Sequence, residues 1–258
     1  MSSPFPPETL DLIIDYLHDE PTTLRTCCVV SKSWVQRTRR HLFAHVEFSD
    51  PYYIKLWKET FPDPSNSLAH HTHTLSVSGT PVILATDAAV GGWIHTFRNV
   101  IHLSLSYIGQ TSLLPFYALS PTLRSLSLTQ VPLDAFDIVC FFPLLEDLAL
   151  VDLFDVEDRG GWKVPSVPPK LTGTLDFRMS YRPRPVARRL LDLPGGLHFS
   201  EIFVMFFSED VESVMDAVSR CSDSLELLTL RFYHDRSAFP SALVTGQYLT
   251  TTRTLRHG

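Results

Sequence analysis

The sequence predicts an α/β chain: a helical block at residues 1–45, then at 46–258 a solenoid of short parallel strands with helices or loops on its convex side. Two observations predict it. The first is apolar residues at helical spacing near the amino terminus. Leu10, Ile13, Ile14 and Leu17 recur at three, four and seven, which is one face of a helix. The second is a recurring unit of an apolar residue, two others, an apolar residue, one other, and an apolar residue. Its middle residues are Val46, Leu75, Leu103, Leu126, Leu148, Leu175, Ile202 and Leu228, spaced 22 to 29 apart and averaging 26. A unit of that length cannot bury its apolar face alone, so neighbouring copies must stack.

In the helical block, Pro6-Pro7 opens the first helix, because the fixed φ of proline suits a first turn. Asp19-Glu20-Pro21 ends it, because proline disfavours helical geometry in the residue before it. Thr22 or Thr23 can cap a second helix bearing Leu24, Cys27, Cys28 and Val30, and Ser31 a third bearing Trp34, Val35 and Thr38. Four large side chains on the first helix represent roughly 6–12 kcal/mol of gross burial, at about 1.5–3 each. So short a segment cannot hide that surface by itself, and something must cover it.

In the array the clearest copies are Leu123/Leu126/Leu128, Leu145/Leu148/Leu150 and Leu225/Leu228/Leu230. Helices are expected at 51–60 (capped by Asp50), 87–98, 134–142, 185–193 and 208–220, and loops at 61–67 and 155–170, where Pro, Gly and charge concentrate. One further spacing lands near Leu255, the expected start of another unit with an exposed edge strand.

Strand alternation sends the leucines inward and leaves the residues between them on an open face. Early in the array these are small hydroxyls such as Ser76, Ser104 and Ser127; later they become charged and bulky, as at Asp176, Arg178, Phe203, Met205 and Arg231. Residues 202–207 are all apolar, so a one-residue slip would exchange the two faces there. Aromatic residues and arginine dominate interface hot spots. Arg178, Phe203, Met205 and Arg231 are therefore the expected contacts for a protein substrate.

The net charge of −6, with five basic and five acidic residues balancing in the first 45, argues against a nucleic-acid or anionic-membrane binder, despite Arg37, Arg39 and Arg40. No basic segment precedes an apolar run, and no run of about 18 apolar residues occurs, so neither a signal peptide nor a membrane span is expected. Cys27, Cys28, Cys140 and Cys221 form no disulfide framework, which points to reduced thiols and a cytoplasmic or nuclear chain. His70, His71 and His73 invite a metal. A zinc site, however, takes about four convergent ligands, commonly with cysteine, and no cysteine lies near. Neither metal nor other cofactor is expected. Nucleophile elbow, phosphate loop and paired-histidine helix are all missing from the sequence, so the chain is not expected to be an enzyme.

Phe5-Pro6-x-Glu8-x-Leu10, then Ile13-Ile14, Leu17, Leu24, Val29-Val30-Ser31-Lys32 and Trp34, resembles an F-box, with Phe5 where leucine is usual and Ser31 where the family often has cysteine. The resemblance implies docking on the Skp adaptor of an SCF-type ubiquitin ligase, and through it on a cullin. By position, the adaptor-facing residues would be Pro6, Leu10, Ile13, Ile14, Leu17, Leu24, Val30 and Trp34, some of which must instead hold the helices together. The remainder resembles degenerate leucine-rich repeats. Where the regular type carries Asn or Cys after the last leucine, this chain has Ile108, Val131, Leu153 and Tyr233. The function so implied is a substrate-recognition adaptor of a ubiquitin ligase; the alternative is a non-catalytic repeat scaffold for protein–protein interaction outside a ligase.

Overall fold

A computed structural model of the chain describes residues 6–63, 66–79, 93–108, 113–154, 168–179, 183–207, 211–233 and 249–254. Three helices come first: α1 (Pro7–Tyr16), α2 (Pro21–Val30) and α3 (Val35–Leu42). Proline opens α1 and α2. At α2 this displaces the expected threonine cap. Glu20 takes the cap position without a side-chain bond, and Pro21 supplies the first helical residue. Ser31 does not cap α3 either; its hydroxyl lies 2.8 Å from that of Ser33 in the connecting turn, and the helix starts after Trp34. Ile14, Leu24, Cys27 and Thr38 form the small interior of this block.

Asp15 clamps α1 onto α3. Arg37 donates from Nε to its carboxylate at 2.6 Å and from a terminal nitrogen to the other oxygen, while His41 Nε2 lies 2.7 Å away. The Arg37 hydrogen bonds, aided by His41, hold the Asp15 carboxyl well below the usual carboxylate range.

All eight recurring units are strands: β1 (His45–Phe48), β2 (Thr74–Ser78), β3 (His102–Ser106), β4 (Ser125–Thr129), β5 (Asp147–Val151), β6 (Thr174–Arg178), β7 (Glu201–Phe207) and β8 (Leu227–Tyr233). They form one parallel sheet in chain order. Pairing aligns Val46, Leu75, Leu103, Leu126, Leu148, Leu175, Ile202 and Leu228 in one row, with a second apolar row two residues on. A ninth strand, β9 (Leu249–Thr254), pairs antiparallel with β8. The free parallel edge expected near Leu255 is therefore replaced by a paired edge at β8; Leu255 itself lies outside the described residues.

Two backbone devices repeat along the stack. Before nearly every strand one carbonyl accepts two successive N–H groups of the next unit: Ala44 from His73 and Thr74, His73 from Ile101 and His102, Ile101 from Arg124 and Ser125, Arg124 from Glu146 and Asp147. The same holds for Gly173 with Ser200 and Glu201, and for Ser200 with Glu226 and Leu227. Only the β5–β6 junction differs, and there the Asp147 carboxylate accepts the Thr174 N–H at 2.8 Å. After the strands, Tyr107, Gln130 and Asp152 adopt left-handed φ values of 58°, 48° and 50°. Such geometry costs on the order of 1–2 kcal/mol. It recurs because each of these residues donates its N–H to the last carbonyl of the next strand and turns the following apolar residue inward. That residue is Ile108, Val131 or Leu153, all buried. Where a regular repeat would use a polar side chain to bond backbone, this chain packs a hydrocarbon.

Helix α4 (Pro51–Thr60) is capped by Asp50, whose side chain accepts the Tyr52 N–H. Further along come α5 (Pro183–Leu191) and α6 (Val211–Arg220). The other covering elements are 3₁₀ turns: η1 (Leu68–His71), η2 (Leu114–Leu119) and η3 (Leu133–Phe141). The α-helix expected at 134–142 is thus a 3₁₀ segment. Seven of its nine residues are buried, so no polar face of period 3.6 exists to favour the α form. Helix α5 begins two residues before its expected start, at another proline. Most of the helix expected at 87–98 lies outside the described residues, although Trp93, Ile94 and Phe97 are buried. His71 and His73 sit on η1 and the bend that follows it.

A continuous core runs from Val46 to Leu225 beneath the sheet, and six phenylalanines (97, 116, 136, 142, 177 and 199) are fully buried in it. At its first end Phe48, Trp57, Trp93 and Phe97 pack with ring centroids 5.1 to 6.2 Å apart, mostly edge to face. No described helix is long and apolar enough to cross a membrane. The four cysteines are free thiols.

Candidate functional site

Among the described residues, two surfaces combine side chains that folding leaves exposed with residues the sequence assigned to a partner. The first lies on α1 and α2. Once Ile14 and Leu24 are sealed inside, at 2% and 1% exposure, Leu12 (69%), Ile13 (48%), Tyr16 (87%), Val29 (87%) and Val30 (66%) still face outward. Leu12 and Tyr16, four residues apart, share one stripe of α1. Val29 and Val30 end α2.

Among the residues the sequence assigned to a partner, Pro6, Ile13 and Val30 are exposed, and Leu10, Leu17 and Trp34 are half-buried. Ile14 and Leu24 are interior packing positions that no partner can reach without unfolding the block. Leu12, Tyr16 and Val29 escaped the sequence reading because they fall off the face chosen by spacing. The signal was available: α1 carries apolar residues on two sides, one more than its own core can use.

The second surface is on the open face of the sheet. The slip left open at 202–207 resolves with Ile202 and Val204 buried and Phe203 and Met205 half-exposed. Register places Asp176, Phe203 and Thr229 in one row across β6, β7 and β8, and Arg178, Met205 and Arg231 in the next. The four expected contact residues are therefore neighbours. The guanidinium carbons of Arg178 and Arg231 each lie 5.1 Å from the centroid of the Phe203 ring. At that range a cation is held by the ring quadrupole, worth about 0.5–1 kcal/mol where water is near.

The two arginines differ in commitment. Arg178 forms a fork on Asp176 with bonds of 2.8 and 2.6 Å, so its charge is matched. Arg231 has a buried Nε without a hydrogen-bond partner among the described residues. A planar cation on an aromatic ring, beside a methionine and with unspent donor capacity, can grip an apolar or carbonyl-bearing protein segment.

The buried thiols of Cys140 and Cys221 are pushed up by burial, which suppresses the thiolate. No family model, curated protein or solved structure matches the chain.

Proposed function

We propose that the chain is a non-catalytic adaptor of the F-box type: its amino-terminal helices dock on the Skp adaptor of a ubiquitin ligase, and the open face of its leucine-rich-repeat-like array selects a protein substrate. The observation that carries this reading is the outward set of Leu12, Ile13, Tyr16, Val29 and Val30, exposed on a helical block whose own interior is already filled. Exposed apolar groups of that size concentrated on one small element mark an interaction site. The order of residues around them resembles the F-box. The Arg178–Phe203–Arg231 group supports the second half of the reading, because it has the composition of an interface anchor.

Co-expression with the Skp adaptor tests it. The pair Leu12→Asp and Tyr16→Asp places charge on the outward stripe and should weaken co-purification by at least about tenfold, while circular dichroism and melting remain those of the native chain. Ile14→Asp is the contrasting variant: it charges the interior and should unfold the block. Full adaptor binding by the outward double variant would sink the reading.

A further inference from the structure

Between the helical block and the array lies a polar cleft of about 610 Å³ that neither surface uses. Helix α3 supplies Arg37 and Arg40, three residues apart and so on one side of the helix. Segment 70–73 supplies three imidazoles from the opposite wall: His70, His71 and His73. Asn99 fixes that wall by donating from Nδ2 to the His70 carbonyl at 2.6 Å. The geometry is built: His70 Nδ1 donates to the Ser67 carbonyl at 2.8 Å, which sets its tautomer and leaves Nε2 as the free ring nitrogen. The rings of His70 and His71 lie with centroids 3.9 Å apart, tilted by 49°.

The charges of the cleft do not cancel. Arg37 is matched by Asp15, but no acid pairs with Arg40 among the described residues. Among the described lining side chains Asp11 on α1 is the one carboxylate, against Arg37, Arg40 and the three histidines. Burial, and the neighbouring His70, Arg40 and His73, hold His71 below the ordinary imidazole range, so the unliganded cleft resists protonation there. A cation would meet two guanidiniums. Consistent with that, the described residues include no group of three or more His, Cys, Asp or Glu able to hold a metal ion.

We propose that this cleft is a binding site for a tetrahedral oxyanion of the phosphate class, gripped by Arg40 with the free edge of Arg37 and by the imidazoles of His71 and His73. A dianion supplies the counter-charge the cleft lacks, and guanidinium is the side chain best shaped to bond two of its oxygens at once. Each neutral imidazole already offers one ring N–H; a proton taken up by His71 adds a charge facing the anion, so binding tightens as pH falls, by up to about tenfold per pH unit for one coupled proton. The room available exceeds that of a bare ion and accommodates a phosphate ester.

The test is a titration of the full chain with sulfate, which remains a dianion across the range, following the histidine ring C–H signals by NMR at pH 7.5 and 5.5. Saturable shifts of His71 and His73, at least tenfold tighter at the lower pH and weakened about tenfold or more by Arg40→Ala, are expected. Arg39→Ala, an exposed neighbour on α3 outside the lining, should leave the affinity unchanged. Inorganic phosphate and a capped phosphoserine, each run at pH 7.5, then separate a free anion from a protein-borne one by which binds more tightly. Absence of saturation below about 10 mM, or an affinity indifferent to Arg40→Ala, overturns the proposal. Adaptor co-purification by Arg40→Ala is expected to be unaltered, so the two readings fail separately.

Discussion

At Asp15 a single carboxylate holds two helices together, and the sign of its titration fixes how the block responds to acid. Arg37 and His41 depress its pKa in the folded chain, so its contribution is complete above the unfolded value of about 3.9 and is lost as pH falls below it. The pair is about one third exposed, at 32% and 31%, which screens it. Asp15→Asn should then cost roughly 1–2 kcal/mol at pH 7. Thermal melts of the two proteins should differ at pH 7 and approach each other below about pH 4. Gly173 poses a steric question instead. A Cβ there would fall 2.1 Å from Oδ1 of Asp147 and 3.3 Å from the Glu146 carbonyl oxygen. Gly173→Ala must displace the carboxylate that accepts the Thr174 N–H, at the one junction lacking the doubly bonded carbonyl. A loss of about 1–3 kcal/mol in urea unfolding is expected, and an unchanged midpoint would mean that Asp147 is dispensable.

Among the elements, the aromatic group at the first end of the array acts as its cap. Trp57 of α4 touches Phe43, Phe48, Phe61 and Phe97, joining β1 to the turn before β3. In a stack where each unit meets only its neighbours, damage stays local. Trp57→Ala should cost roughly 2–4 kcal/mol, somewhat under the range for a fully buried aromatic. Hydrogen exchange should quicken across β1 and β2 while β6 and β7 keep their protection; equal loss throughout would show a single cooperative body. What was legible in the sequence follows the same logic. The strands could be read because an inward row of Leu, Ile and Val fixes the register wherever polar residues alternate with it; at 202–207, where every residue is apolar, alternation proposed the Arg178–Phe203–Arg231 group but left its register open. Element η3 could not, because seven buried residues in nine give no periodic face to read. The outward stripe of α1 was hidden behind a stronger inward one. The cleft was invisible for a different reason: Arg40 and His71 are 31 positions apart in the chain and meet only after folding.

For the whole molecule the two surfaces stand at opposite ends of a sheet whose order is the order of the chain. Six strand spacings separate β1 from β7, about 30 Å at roughly 4.8 Å each. The helical block does not hang from this sheet loosely. Helix α3 rests on η1, with Thr38 and Thr72 both fully buried and their hydroxyls without a hydrogen-bond partner among the described residues. A buried hydroxyl without a partner costs about 1–3 kcal/mol, a penalty tolerated only where the surrounding packing outweighs it. Under the adaptor reading such rigidity has a use: it fixes where a captured substrate stands relative to the ligase. A Gly-Gly-Ser insertion between Leu42 and Phe43 would release α3 while leaving Phe43 with Trp57 and Ala44 with its two N–H partners. Adaptor binding and substrate capture, each measured alone, should stay within about twofold. Ubiquitin transfer in a reconstituted ligase should fall by about tenfold or more, because orientation rather than contact would have been lost. Undiminished transfer would show that the block serves as a tether, and that the packing of α3 against η1 matters to stability alone.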